Sequence, residues 1–158
     1  MYSYIIEREK SIEFFNVVSC RQKCNFHSVN DNLISFVSNL KNSGLKRNGP
    51  LISVTHAVDI VSDETQIVDI EFLVPVIGKV ESNLFQYRYL PKFYLGNCIY
   101  LRYYDSPEEI YLAYNEITRY IQENHLHQIA PFYNINQENE LTKELYIDVY
   151  APLNPNCT

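Results

Sequence analysis

The sequence has no long apolar stretch and few positive charges, and these two absences exclude two classes of protein. A transmembrane helix needs about 18 or more consecutive apolar residues, and no such stretch is present. The first ten residues contain two acidic side chains and no apolar run, so we predict no signal peptide. Lysine and arginine number 13 against 19 acidic residues. Without a basic stripe the chain is not expected to bind nucleic acid. We therefore expect a cytoplasmic protein with no nucleic-acid or membrane partner.

The chain also lacks the residue spacings of a metal site or a catalytic triad. Cys20, Cys24 and His27 supply three potential ligands in one segment, whereas a structural zinc site uses four in paired short spacings. We interpret the four cysteines as reduced thiols. No glycine-rich phosphate loop and no Ser-His-Asp order can be recognised. The sequence therefore predicts no metal and no cofactor.

The chain is acidic and rich in apolar and aromatic residues. Hydrophobic residues make up 46% of the 158 residues, enough for a globular core in one domain or in two small repeats that share a core. Of the 14 tyrosines, all but Tyr2 and Tyr4 lie after residue 85. Acidic and aromatic side chains together favour a cationic ligand over an anionic one.

A strand is predicted at residues 143–150, where apolar side chains alternate with polar or aromatic ones. Leu145, Ile147 and Val149 are predicted to face the core. The opposite face carries two carboxylates and two phenols, Glu144, Tyr146, Asp148 and Tyr150.

Segment 68–76 has the same pattern and suggests an internal repeat. Its polar face includes Glu71, which the pattern Glu, apolar, any, Val or Ile, Pro or Asp, Val aligns with Glu144. At a spacing of 81 residues, Pro50 falls on Pro131. The two halves thus share a Pro-apolar step and a glutamate strand, and each half is predicted to run strand, helix, strand, strand.

The order of elements predicts an α+β fold. It comprises two tandem strand-helix-strand-strand modules with pseudo-two-fold symmetry, forming an antiparallel sheet with the helices on one face. We predict a single domain over 1–158, with repeat 1 at about 1–80, repeat 2 at about 82–153 and a polar tail at 154–158. The glutamates and tyrosines of the two strands are expected to face a groove between the repeats.

Helix and strand boundaries follow from local signals. Ser28 is the predicted N-cap of the first helix, and Gly44 its left-handed C-terminal residue. Ser106 is the predicted N-cap of the second helix, with Pro107 at its first position. Strands are predicted at 2–6, 12–20, 51–59, 67–76, 84–90, 98–104, 132–136 and 143–150, and turns at 78–83 and 95–97.

The chain resembles the GyrI-like, or gyrase-inhibitor-like, effector-binding domain superfamily over residues 2–153, including a stand-alone branch from Gram-positive bacteria. The resemblance lies in Ala130-Pro131-Phe132-Tyr133 and in Glu144-Leu145-Tyr146-Ile147-Asp148-Val149. The sequence departs from the pattern at Ala130, where the family has Gly, and at Asp148, where it has Pro. The ligand-sensing half of some transcription regulators has this fold. No helix-turn-helix is recognised here, so we expect no DNA-binding output module.

The resemblance implies a small-molecule-binding groove with a buried glutamate that meets cationic aromatic ligands, and by position this residue is Glu144. From the residues themselves, aromatic side chains supply ring faces for a lipophilic cation. The predicted ligand-binding residues are Glu144, Tyr146, Tyr150, Tyr100, Tyr104, Tyr133 and Glu71.

Two other functions remain open at this stage. A chain rich in tyrosine also suits an interface with a protein partner, as an accessory or inhibitory factor with a vestigial pocket. Some proteins of the superfamily are hydrolases of strained-ring compounds, in which a glutamate helps to activate water. The tryptophan that holds substrate in those enzymes has no equivalent, since the chain contains none. We therefore favour a non-enzymatic binding domain.

Overall fold

The computed structural model describes residues 4–80 and 86–154, in which seven strands and two α-helices are formed. In chain order they are β1 Ile6–Asn25, α1 Val29–Asn42, β2 Lys46–Arg47, β3 Leu51–Ser62, β4 Thr65–Ile77, β5 Arg88–Tyr103, α2 Tyr111–Glu123, β6 Tyr133–Glu138 and β7 Leu145–Pro152. The strand pairs within each half are antiparallel. The predicted α+β class is confirmed.

The chain divides into two compact units with the same order of elements. The N-unit comprises residues 14–80 and 86–93, and the C-unit comprises residues 4–13 and 94–154. In the N-unit β4 pairs with β1 and with β3, and the short β2 also pairs with β4. In the C-unit β7 pairs with β5 on one side and β6 on the other. In both units the last strand in the sequence is therefore the middle strand of the three long ones.

The core of the N-unit lies between α1 and one face of its sheet. The even-numbered residues of β4, among them Ile70, Phe72 and Val74, pack against Phe36 and Leu40 of α1. All five are almost fully buried. Alternation on the strand and helical spacing on α1 thus bring two apolar faces together, as the sequence pattern predicts.

The core of the C-unit is built in the same way. Leu101 of β5 and Val149 of β7 pack against Ala113 and Ile117 of α2, and none of these four side chains is exposed. The hydroxyl group of the buried Tyr103 donates to the backbone oxygen of Ser106, which ties the end of β5 to the segment before α2.

Left-handed backbone conformations recur at a spacing of 81 residues. Asn16 and Asn97 have φ values of 58° and 52°, and Gly44 and His125 have φ values of 83° and 55°. Both helices end in a Schellman motif: Leu45 N–H donates to Leu40 O at 3.1 Å, and the equivalent bond of α2 is 2.9 Å. The predicted role of Gly44 is confirmed, and histidine occupies the same position in the C-unit.

Two predicted strand breaks are wrong. No break separates residue 6 from the strand predicted at 12–20: β1 begins at Ile6 and continues to Asn25, because its end pairs with β4. Similarly, β5 runs through Pro91 and the predicted turn at 95–97. The connector at 78–83, the strand at 84–90, the strand at 2–6 and the polar tail lie partly outside the described residues.

The predicted helix caps are also only partly right. Ser28 and Ser106 precede the helical segments, but neither side chain caps a backbone N–H. A 3-10 turn over Phe26–Ser28 leads into α1, and a second over Pro107–Glu109 leads towards α2. The Ser106 hydroxyl donates to Glu108 instead.

Candidate functional site

The pairing register shows that the C-unit counterpart of Glu71 is Asp148. Glu71 on β4 lies opposite Arg21 on β1, and Asp148 on β7 lies opposite Arg102 on β5. Arg21 and Arg102 are themselves 81 residues apart, the spacing that relates the two units throughout the earlier elements. In the same register, Pro152 on β7 holds the position that Pro75 holds on β4. The sequence alignment of Glu71 with Glu144 is therefore wrong by four residues, and the departure inferred at Asp148 disappears.

The buried position predicted for Glu144 is wrong. Glu144 lies in the turn before β7, where its backbone oxygen accepts from Asn139 N–H, and its side chain is exposed. Leu145, predicted to face the core, is 71% exposed. The pairing of β7 ends at Ile147 on the β5 side and at Leu145 on the β6 side, so Glu144 lies beyond the paired residues of the C-unit sheet.

Asp148 is instead the buried carboxylate of this strand. Its side chain is 6% exposed and accepts a hydrogen bond of 2.7 Å from the Tyr100 hydroxyl. Arg102 donates to both carboxylate oxygens, from Nε at 2.9 Å and from Nη2 at 3.3 Å. Charge-assisted contacts of this fork geometry are stronger than neutral hydrogen bonds. The two partners satisfy the charge and both oxygens of a carboxylate that burial alone would disfavour.

These residues lie at a cleft of about 910 Å³ in the C-unit. Within the described part of the chain it is lined by aromatic, aliphatic and charged side chains, Tyr4, Ile5, Glu7, Lys10, Tyr100, Arg102, Tyr104, Asp105, Asp148 and Tyr150. The rings of Tyr100 and Tyr150 are 5.1 Å apart. Three carboxylates and two cationic groups line the cleft, so it combines ring faces with a surplus of negative charge.

Three of the predicted tyrosines line this cleft and two do not. Tyr100, Tyr104 and Tyr150 are lining residues. The ring of Tyr146 packs beside that of Tyr104, at 5.7 Å, and Arg102 Cζ lies 4.3 Å from the Tyr146 centroid. Tyr133 lies on β6 opposite Tyr150 and is absent from the lining residues.

Glu71, the remaining predicted residue, belongs to a separate polar cluster in the N-unit. It is 8% exposed. One carboxylate oxygen accepts from the Ser19 hydroxyl, and the other lies 2.9 Å from His56 Nε2. Arg21 makes a forked contact with the neighbouring carboxylate, Asp69, at 3.0 and 2.9 Å. This hydrogen-bonded contact lowers the pKa of the Asp69 carboxyl.

Burial in the cleft raises the pKa of three phenols, those of Tyr100, Tyr150 and Tyr4. Burial, followed by the hydrogen bond to Asp148, raises the pKa of Tyr100. Burial and the charge of Asp148 raise the pKa of Tyr150 to about 12. Tyr4 also has a raised pKa, from burial and then from nearby carboxylates, of which Asp105 has the largest effect. Near neutral pH these phenols are therefore protonated in a region of negative potential.

Arg102 is not among the residues predicted from the sequence, and Asp148 was predicted as a departure from the family pattern rather than as a site residue. One signal was present for the arginine: the alignment at a spacing of 81 places Arg102 on Arg21. For Asp148 the signal was Pro152, which follows it by four residues as Pro75 follows Glu71. No local pattern indicated that Tyr4 and Glu7 line the cleft, because both lie far in the sequence from the strand that carries Arg102.

Neither a metal centre nor a membrane span is found in the described residues. Over 4–80 and 86–154, no three His, Cys, Asp or Glu side chains come together as a metal-binding group. Cys20, Cys24 and Cys98 are free thiols. Within the same residues, neither helix has the length and apolar composition needed to cross a bilayer.

Several solved structures are similar to this fold. The C-terminal domain of EcmrR matches with a TM-score of 0.69 and 15% identity, over 96% of this chain and 98% of that domain. An EcmrR–DNA complex matches with a TM-score of 0.68 and 18% identity over 95% of this chain; the chain spans 57% of that EcmrR chain. A hydrolase from Listeria innocua matches with a TM-score of 0.55 and 10% identity, over 96% of this chain and 91% of its own.

Sequence comparison adds no closer relative. No protein-family model matches the chain, and no curated protein matches it in sequence. The match to the EcmrR C-terminal domain is one of fold, and it agrees with the α+β fold that the sequence pattern predicts.

Proposed function

We propose that the chain is a non-enzymatic binding domain whose C-unit cleft takes a small aromatic or lipophilic cation. The observation that carries the proposal is the buried carboxylate of Asp148 at a cleft walled by Tyr100, Tyr104 and Tyr150. The ligand class is the one predicted from the sequence. The anchor is Asp148 in place of Glu144, and the site lies within one unit.

A carboxylate with little access to water is stable only with a counter-charge. Arg102 supplies that charge to Asp148 in this structure, and a ligand cation can supply it in place of the arginine. The ring faces beside it add cation–π attraction of roughly 0.5–2 kcal/mol. The contact of Arg102 with both Asp148 and the Tyr146 ring supports the proposal that a delocalised cation suits this position.

The protonation of the cleft favours binding over acid–base catalysis. With the pKa values of Tyr100 and Tyr150 raised, neither phenol provides a phenolate near neutral pH. A general acid or base works best with a pKa near the operating pH. The phenols therefore serve as hydrogen-bond donors and ring surfaces.

The comparison with EcmrR supports a sensing role. The matched region is one part of the EcmrR chain, which occurs in a complex with DNA. A domain of this fold that binds a small molecule can report it to other protein regions. We propose that ligand sensing is the use of the cleft here also, in a reducing cytoplasmic setting consistent with the free thiols.

The test is a calorimetric titration of the full chain with methyltriphenylphosphonium, a cation with three aromatic rings. We expect saturable binding that Asp148→Asn weakens roughly 10-fold or more, since a charge-assisted contact contributes about 1.5–3 kcal/mol. Glu144→Gln is the matched control, because it removes an exposed carboxylate from the same strand segment. Equal affinity of the Asp148→Asn protein and the wild type, with both folded, contradicts the anchor role.

A further inference from the structure

Arg102 occupies the place in the cleft that a ligand cation would need. Its guanidinium group contacts both oxygens of Asp148 and lies over the ring of Tyr146. A carboxylate with an aromatic face beside it is the arrangement by which proteins recognise delocalised cations. The cleft is therefore a cation site that already holds a cation of the protein itself.

The two members of this pair differ in access to water. The Asp148 side chain is 6% exposed, whereas the Arg102 side chain is 42% exposed. The arginine thus lies on the open side of the carboxylate. Rotation of its flexible side chain moves the guanidinium into solvent without breaking the pairing of β5 with β7. Tyr100 continues to donate to Asp148 when the arginine leaves.

The N-unit shows that this use of the arginine is not imposed by the strand register. Arg21 has the same position relative to Glu71 as Arg102 has relative to Asp148. Arg21 nevertheless contacts Asp69, two residues earlier on the central strand. The C-unit has Tyr146 at the position of Asp69, so the arginine finds a ring there and the nearest carboxylate is Asp148.

From these contacts we propose that Arg102 is an internal competitor that a ligand cation must displace from Asp148. The inference rests on the proposed function of the cleft and adds a specificity-determining residue to it. A cation binds only when its contacts with the rings and with Asp148 outweigh those of the guanidinium. Small hydrated cations gain little from the rings, while large aromatic cations gain most, and neutral molecules of the same shape do not replace the charge.

The experiment compares two ligands of similar shape and different charge on three proteins. Methyltriphenylphosphonium is the cation and triphenylphosphine oxide the neutral analogue, each titrated into the full chain by calorimetry. In the Arg102→Gln protein we expect the affinity for the cation to rise roughly 10-fold or more, the equivalent of one charge-assisted contact. The affinity for the neutral analogue is expected to stay within about 2-fold. Arg21→Gln is the matched control and is expected to leave both affinities unchanged.

The outcomes separate this inference from the proposed function. Equal or weaker cation binding by Arg102→Gln overturns the competitor role, while binding by the wild type continues to support the cleft. Equal gains for the cation and the neutral analogue also overturn it, because the arginine then only occupied space. Binding by Arg102→Gln alone supports the competitor and overturns cation binding by the native cleft. Absence of binding to either protein overturns both.

A second measurement needs no variant and covers the case in which Arg102→Gln fails to fold. In the wild type, the Arg102 Nε–H signal in a ¹⁵N–¹H spectrum reports its hydrogen bond to Asp148. Saturation with methyltriphenylphosphonium is expected to move this signal to the position of a solvent-exposed arginine, whereas the Arg21 signal stays in place. An unchanged Arg102 signal in the saturated protein overturns displacement.

Discussion

The N-unit and the C-unit place a buried carboxylate at the same point of the middle strand and surround it with different chemistry. Glu71 is held by a serine and a histidine, Asp148 by a tyrosine and an arginine. At three positions on this face, the N-unit has a small, acidic or aliphatic residue and the C-unit has a tyrosine. The pairing register relates Ser19 to Tyr100, Asp69 to Tyr146 and Leu73 to Tyr150.

The comparison teaches that the cleft chemistry is set by a few side chains on a shared backbone. The helix-facing side of both sheets is apolar and packs against one helix in each unit. The opposite side changes from small, acidic and aliphatic residues in the N-unit to tyrosines in the C-unit. The proposed binding site therefore lies on the face of the sheet that does not contact the helix, whereas the face that contacts the helix builds the core.

The largest expected effect tests the register on which the comparison depends. Phe72 and Val149 occupy equivalent helix-facing positions and are almost fully buried. We expect Phe72→Ala to lower the free energy of unfolding by about 3–5 kcal/mol and Val149→Ala by about 2 kcal/mol, through lost contacts and a cavity. Chemical denaturation measures both.

Leu145→Ala is the control for this pair. The sequence alignment makes Leu145 the counterpart of Phe72, but the structure exposes it, so we expect a change within about 0.5 kcal/mol. A loss from Leu145→Ala as large as that from Val149→Ala contradicts the register and returns Glu144 to the position of Glu71.

A smaller effect is expected from the two equivalent arginines. Arg102→Met leaves the nearly buried carboxylate of Asp148 without its cation. We therefore expect the free energy of unfolding to fall by about 1–3 kcal/mol. Arg21→Met removes an ion pair in which the arginine side chain is 52% exposed, and we expect the free energy of unfolding to fall by less than about 1 kcal/mol because solvent screens the guanidinium. Urea unfolding of both proteins at pH 7 measures the difference. Equal losses contradict the distinction between the two carboxylate sites.

The smallest effect concerns the phenol that the N-unit lacks. The pKa of Tyr150 is raised to about 12 in the folded protein, so the unfolded chain loses this proton first, near pH 10. The corresponding stability is present below pH 10 and is lost as the pH rises towards 12. Between pH 9 and pH 11, we expect the free energy of unfolding of Tyr150→Phe to fall by about 1 kcal/mol less than that of the wild type. This value allows for solvent screening at a half-buried ring.

Unfolding in urea at these two pH values measures that difference. Leu73→Phe is the matched variant, since it places the same ring at the equivalent N-unit position, where the wild type has no titrating group. Its pH dependence is expected to follow that of the wild type. A Tyr150→Phe protein with an unchanged alkaline loss of stability shows that Tyr150 is not the source.

The alternation of side chains predicted the face of the sheet on which each residue lies, but not the register with which the strands pair. Side chains alternate with a period of two, so a register error of four residues leaves each residue on its predicted face. Glu144 and Asp148 therefore looked equivalent in the pattern. The strand pairing, which ends at Ile147 on the β5 side and at Leu145 on the β6 side, shows that Glu144 lies beyond the paired residues of the C-unit sheet.

The helices were predicted well because their signals are local in the sequence. The site was predicted only in part because its contacts join distant segments. Apolar spacing and end signals are local, and α1 and α2 follow them. The contacts of Asp148 with Arg102 and Tyr100 join strands that are far apart in the sequence, and no local pattern encodes which carboxylate an arginine reaches. Arg21 and Arg102 illustrate this, since equivalent positions select different partners.

The position of β7 in the middle of its sheet has a consequence for the order of folding. β6 and β7 are joined by a short turn, whereas Asp148 meets Tyr100 across 48 residues and Arg102 across 46. Local contacts form at a low entropic cost, while distant ones require a longer loop to close. We therefore expect the β6–β7 hairpin to assemble before β5 joins it. The contacts of Asp148 are then completed in the last step of C-unit assembly, and a ligand that binds at the proposed site favours the fully assembled unit over all earlier states.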